Sequence, residues 1–123
     1  GKPTILARSG NKPVWGLPGH VVSAMVVFKV VVLPFLRRCM GENDWAAPGA
    51  VIPATLTRNV ASAQGRTDFV RVALQEKEGQ LYAAPVLGKS GLIRTMVMAQ
   101  GLLEIGENVE GLEKGTVVKV RCM

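Results

Sequence analysis

Residues 21–33 are almost all apolar, interrupted only by Ser23 and Lys29, and this run constrains the fold more than any other stretch. It is too long for an ordinary strand, and in a compact domain a run of this length reads as a buried helix in spite of its many valines. It is also too interrupted for a membrane span, because Lys29 sits inside it and Arg37 and Arg38 follow closely. The pattern predicts a helix over residues 21–40, closed by Arg37, Arg38 and Gly41, with Pro34 kinking or tightening its last turns. Just before it, a short apolar segment runs into Pro18-Gly19. Proline presets φ and glycine permits backbone angles that other residues avoid, so strand, tight loop and helix should follow one another. A helix that starts at such a loop opens with unpaired N–H groups and the positive end of its dipole, where phosphate or another oxyanion can sit. The plainer alternative is a loop that only turns the chain.

The rest of the chain reads as short β pieces. Residues 4–8 and 12–17 are strand candidates, and Ser9-Gly10-Asn11 between them predicts a hairpin. Composition breaks over residues 41–49, which places a domain boundary between 1–44 and 45–123. Beyond it, 51–58, 67–75 and 81–87 are strand candidates. Residues 68–74 alternate, with Phe69, Arg71 and Ala73 on one face and Val70, Val72 and Leu74 on the core face. Residues 76–79 form a charged hairpin turn, and Pro53 and Pro85 restrict parts of their strands to sheet edges. Residues 90–99 read as a short helix with Ser90 as N-cap and Leu92, Met96 and Ala99 on one face. Residues 101–105 and 116–121 are closing strands, and 111–115 is a turn between them. The expected architecture is a hairpin and long helix followed by a small, mostly-β domain.

Composition narrows the function classes. The chain has 123 residues, enough for one ordinary domain or two small ones. Its net charge of +6 favours an anionic ligand, but six basic against two acidic side chains lie before residue 46 and nine against seven after it. That is no dense basic stripe. The two Trp, one Tyr and three Phe are not interleaved with basic residues as a single-strand binder requires, so a nucleic-acid-binding β domain is the weakest reading. His20 is the only histidine, and Cys39 and Cys122 stand far apart, so no metal-ligating set is legible. Two reduced thiols fit a cytoplasmic protein, although the sequence leaves a disulfide open. The chain opens Gly1-Lys2-Pro3-Thr4, with neither a secretory apolar segment nor an initiator methionine, and so reads as a fragment or processed product.

Four motifs in order point to a family. They are Gly1-Lys2-Pro3 before the hairpin; Gly16-Leu17-Pro18-Gly19 with Ser23-Ala24, before a helix ending Pro34-x-x-Arg37-Arg38; Gly65-Arg66-Thr67-Asp68-Phe69-x-Arg71; and Ser90-Gly91 followed by Ala99-x-Gly101-Leu102. Together they resemble the C-terminal part of MoeA, the molybdopterin molybdenumtransferases, which include the E domain of gephyrin. The resemblance covers essentially the whole chain. Three residues depart from it: His20 and Val21 stand where the family has Asn-Pro, and Lys89 stands where glycine is common.

The resemblance implies an α/β fragment, the end of a molybdopterin-binding-type domain, followed by the family's small barrel-like β domain. It implies a transferase that inserts molybdate into adenylated molybdopterin with release of AMP, assisted by Mg2+, in the cytoplasm and as a homodimer without nucleic-acid or membrane partners. The family's acidic Gly-Gly-Val-Ser-x-Gly-x-x-Asp stretch is absent here, so these residues alone should not be a competent enzyme. Carried over residue by residue, Lys2, Arg71 and Ser90 are the catalytic candidates, and Pro18, Gly19, His20, Ser23 and Arg66 the substrate-binding ones. Each has a plainer reading. Lys2 can be a surface lysine, Ser23 can bond back to its own helix, and Arg71 can be a solvated strand arginine. Arg66 can pair with Asp68, which itself reads as structural. A protein-docking module of the gephyrin type is the alternative function.

Overall fold

The computed structural model describes residues 2–87 and 100–123. They form two compact units that divide between Ala47 and Pro48.

In the first unit, β1 (Ile5–Ser9) and β2 (Lys12–Gly16) pair antiparallel, with Ile5 opposite Gly16 and Ser9 opposite Lys12. Gly10 turns the hairpin at φ +59°. Helix α1 (Val21–Val27) runs through a π-helical segment, Phe28–Val32, into α2 (Leu33–Cys39). Pro34 accounts for the π segment. It has no N–H to donate and its ring crowds the carbonyl four residues back, so the preceding turn widens. The Leu33 N–H accordingly donates to the Phe28 carbonyl, five residues earlier. The expected kink is thus a widened turn inside the expected helix. Trp15 meets Phe35 edge to face at 5.7 Å, packing hairpin on helix. Gly41 ends the helix at φ +81°, where residues with a Cβ are strained. Beyond it, the Arg38 guanidinium lies 5.1 Å over the Trp45 ring and Arg37 pairs with Glu42 at 3.4 Å.

The second unit is built on a closed five-stranded barrel in the order β3-β6-β5-β7-β9. Its strands are β3 (Val51–Leu56), β5 (Asp68–Lys77), β6 (Gln80–Pro85), β7 (Gly101–Ile105) and β9 (Val117–Cys122). All neighbours are antiparallel except β3 and β6, which close the barrel through a short parallel register at Thr55–Tyr82 and Leu56–Ala83. The β5–β6 turn is Glu78-Gly79, both at positive φ, as a two-residue hairpin loop requires. Period-two alternation fills the interior. Ala54, Leu56, Val72, Ala83, Leu103, Ile105, Val118 and Val120 form the core, with Val70 and Leu74 against it, so the face predicted for β5 is the buried one. Gly101 is needed where β5, β7 and β9 converge, because a Cβ there would overlap Val120 Cγ1 and press on the Arg121 carbonyl at 3.2 Å.

One expectation is corrected. Residues 111–115 are not simply a turn: β8 (Gly111–Leu112) pairs antiparallel with β4 (Val60–Ala61), because Gly111 brings its Cα against the Val60 carbonyl, where a Cβ would stand 2.6 Å away. The prolines do sit where their strands are paired on one side only, as expected of edge-like stretches. Pro53 lies opposite Lys119 in a part of β3 that the short β6 register does not reach. Pro85 lies opposite Val72, and its carbonyl accepts from Arg58 Nη2 at 2.9 Å. The helix read over residues 90–99 lies outside the described residues.

Candidate functional site

In the first unit, Pro18, Gly19, His20 and Ser23 gather at the helix entry. Pro18 is buried, Gly19 and His20 are exposed, and Ser23 is half-buried. His20 is the N-cap residue, in extended conformation at φ −74°, ψ 125°, and its carbonyl accepts the Ala24 N–H at 2.9 Å. Among the described residues no side-chain hydrogen bond from the N-cap closes this end, and no acidic residue stands in its first turn. The backbone donors of that turn therefore keep the positive end of the helix dipole without a side-chain anion. Lys2 is exposed ahead of the hairpin in the same unit.

Gly19 corrects the reasoning that selected it. The sequence reading gives it a turn that only glycine can make, yet its φ is not in the left-handed region and a Cβ would meet nothing within 4 Å. Nothing within the chain's own described packing requires glycine here. What glycine leaves is bare backbone at an open surface, which permits close approach by another molecule.

The Gly65–Arg71 motif belongs to the second unit and consists of a turn followed by the start of a strand. Gly65 sits at φ +82° and donates its N–H to the Glu107 carbonyl at 2.8 Å. Arg66 Nε pairs with Asp68 Oδ1 at 3.0 Å, and Ser62 Oγ donates to Asp68 Oδ2 at 2.8 Å. The Arg66 side chain is 64% exposed, whereas that of Asp68 is 26% exposed. The predicted Arg66–Asp68 pair therefore forms with the guanidinium open to solvent. Arg71 stands opposite Leu102 of β7 and is half-buried, and its carbonyl accepts the Val86 N–H at 2.9 Å. It shares its face with Phe69 and Ala73, away from Val70 and Val72, as the alternation predicts. Ser90 lies outside the described residues.

The structure thus brings four candidates together at the helix entry and sets Arg66 and Arg71 on the barrel unit. Sequence reasoning missed Ser62, which no motif marks. It also missed the ion pair of Arg121 with Glu104 on the outer face of β9 and β7. A groove of about 770 Å³ at one end of the barrel, with Thr55, Thr57, Lys77, Tyr82 and Lys114 among its lining residues, was likewise not legible, because it brings together the ends of β3, β5 and β6 and a loop far apart in sequence. Among the described residues no three His, Cys, Asp or Glu side chains converge as a metal-binding group. Nor is any helix among them long and apolar enough to cross a membrane.

Residues 53–121 match the family model described as the MoeA C-terminal region, domain IV. Molybdopterin molybdenumtransferase 2 of Mycobacterium tuberculosis is 35% identical over 122 residues, which cover 98% of this chain and 29% of that protein. The molybdenum cofactor synthesis protein cinnamon of Drosophila melanogaster is 37% identical over 84 residues, or 68% of this chain and 14% of that protein. Among solved structures, a molybdopterin biosynthesis MoeA protein from Pyrococcus horikoshii superposes with a TM-score of 0.79 at 36% identity, covering 99% of this chain and 29% of that one. The chain therefore spans less than a third of the length of these relatives.

Proposed function

Since this chain belongs to the MoeA family of molybdopterin molybdenumtransferases, we propose that it is the C-terminal part of an enzyme that inserts molybdate into adenylated molybdopterin and releases AMP. On this reading the hairpin and helix close the enzyme's α/β domain, and the barrel is its small β domain. The intact protein works as a cytoplasmic homodimer with Mg2+. The described residues offer no converging metal ligands, so no step is assigned to magnesium through this chain.

The observation that carries the reading is the helix entry. Among the described residues, a helix start without a side-chain cap follows a glycine that neither φ nor packing demands. In the proposed role, Gly19 lets a pterin phosphate approach the backbone, and the first-turn N–H groups and the Ser23 hydroxyl donate to it. Pro18 fixes the loop, and His20 takes the place of an amide side chain as a hydrogen-bonding partner. Lys2 adds a mobile positive charge. Arg71, on the barrel unit, acts together with Ser90 on the oxyanion that is transferred or released. A guanidinium can grip such a group through two N–H donors at once, which lysine cannot imitate. Catalysis is then mostly positioning and charge compensation around crowded oxyanions.

Arg71→Ala in the intact protein tests this reading. Molybdate-dependent AMP release should fall by about a hundredfold, the scale for losing one preorganised charged donor. The thermal midpoint should stay close to wild type, since Arg71 lies on the face turned away from the core. Undiminished AMP release would remove Arg71 from the site.

A further inference from the structure

We propose that Asp68 is a positioning residue: with Ser62 it holds Arg66 by its Nε edge, so that the terminal nitrogens face outward as a fork for a tetrahedral oxyanion. The inference rests on the proposed function and on the substrate-binding role that the family resemblance implies for Arg66, and names the group that makes it work.

The Asp68 carboxylate is held at both oxygens, by Arg66 Nε at 3.0 Å on Oδ1 and by the Ser62 hydroxyl at 2.8 Å on Oδ2. With Oδ2 committed to Ser62, the carboxylate grips the guanidinium from one side. The backbone under this pair is fixed as well. The Ser62 N–H donates to the Glu110 carbonyl at 2.9 Å, and the Gly65 N–H to the Glu107 carbonyl at 2.8 Å. The base of the fork is therefore tied at two points to the segment that follows β7.

Exposure is uneven across the pair, 26% for Asp68 and 64% for Arg66. An ion pair this open adds little to stability, so its larger effect is on the orientation of the guanidinium. Arginine carries five N–H donors in a planar fork, and fixing Nε sets the plane in which the others point. Among the described residues Asp68 is the only ion-pair partner of Arg66.

Two effects of Asp68 oppose each other, which makes the test decisive. Its negative charge repels an arriving anion, while its hold on Nε preorganises the fork. If charge alone mattered, neutralising it would tighten anion binding. If positioning dominates, neutralising it loosens binding, and only while Arg66 is present.

Inorganic pyrophosphate, and molybdate in a separate series, would be titrated calorimetrically into the intact protein. The variants are Arg66→Ala, Asp68→Asn, their combination and Arg71→Ala. Asp68→Asn should weaken pyrophosphate binding by about tenfold, the scale of one charge-assisted hydrogen bond, with no change in thermal midpoint. That penalty should vanish in the Arg66→Ala background, and the Arg66 Nε–H NMR signal should exchange faster in Asp68→Asn than in wild type. The ratio of the pyrophosphate and molybdate effects tells which oxyanion the fork takes. Equal or tighter binding by Asp68→Asn, or a penalty that persists without Arg66, would overturn the proposal. Binding abolished by Arg71→Ala but indifferent to Arg66 and Asp68 would overturn it while sparing the wider reading, whereas no binding by wild type would overturn both.

Discussion

The two units contrast in where their apolar side chains go. In the barrel, Val72, Ala83 and Val120 are wholly buried, and the core draws on every strand of the closed sheet. In the hairpin and helix only Val22 and Val32 are buried among the large apolar side chains, while Ile5 and Leu6 stand 57% and 64% exposed. Val21, Met25 and Phe28 follow one another along the helix at spacings of four and three, and all are exposed. Both units have well-formed secondary structure, so the difference lies in packing. Regular hydrogen bonding without a core is marginal in water, because tertiary burial supplies most of a helix's stability. The barrel encloses a core of its own. The hairpin and helix lay out an apolar surface that these residues do not cover.

The strongest way to break this comparison is to separate the units. Residues 48–123 alone should unfold in one cooperative transition, seen as a sigmoidal loss of circular dichroism with denaturant and a dispersed amide spectrum before it. Residues 1–47 alone should show a broad, non-cooperative change and collapsed amide dispersion. A cooperative transition in the shorter piece would show that the Trp15–Phe35 contact and the two buried valines suffice.

The next largest effect is expected within the barrel. Gly101 stands where a Cβ would overlap Val120 Cγ1, with the Arg121 carbonyl and Val72 Cγ2 close by. Both neighbouring side chains are fully buried and have nowhere to retreat. Gly101→Ala should therefore cost about 3 kcal/mol, the upper range for overpacking a tight core, measured as a shift in denaturant midpoint. A shift under about 1 kcal/mol would show that β7 and β9 can move apart, and that the barrel is looser than its closed order implies.

Much of this was legible in the sequence where the signal is local. The hairpin, the helix boundaries, the alternating face of β5 and the Glu78-Gly79 turn all follow from period and turn chemistry within a few residues. The π-helical segment was only half legible: Pro34 announces trouble in the helix, but a kink and a widened turn begin from the same missing N–H. Closure of the barrel came only from the family resemblance and not from the residue pattern, because the β3–β6 register joins residues far apart through a short parallel contact. The β4–β8 pair was hidden for another reason, since two-residue strands have no period to read. Within the site, the Arg66–Asp68 pair follows from spacing, whereas Ser62 reaches Asp68 only because the intervening loop folds back.

The smallest effect on stability, and the sharpest test of the contrast, comes from Gly19. It is a motif glycine like Gly101 but lacks every structural reason that Gly101 has. Its φ is open to other residues and a Cβ would touch nothing within 4 Å. Alanine at such a position restricts the unfolded chain more than the folded one, so Gly19→Ala should stabilise the protein by about 0.5 kcal/mol. What glycine offers at such a position is bare backbone that another molecule can approach. If a ligand phosphate approaches the backbone there, the same variant should raise the substrate KM of the intact protein while its midpoint rises. Opposite signs for stability and KM would set Gly19 apart from Gly101, whose replacement should lower stability first and activity only as a consequence. Unchanged KM in a stabilised Gly19→Ala protein would return the Pro18-Gly19 loop to a plain turn and leave the barrel unit as the place to look for oxyanion contacts.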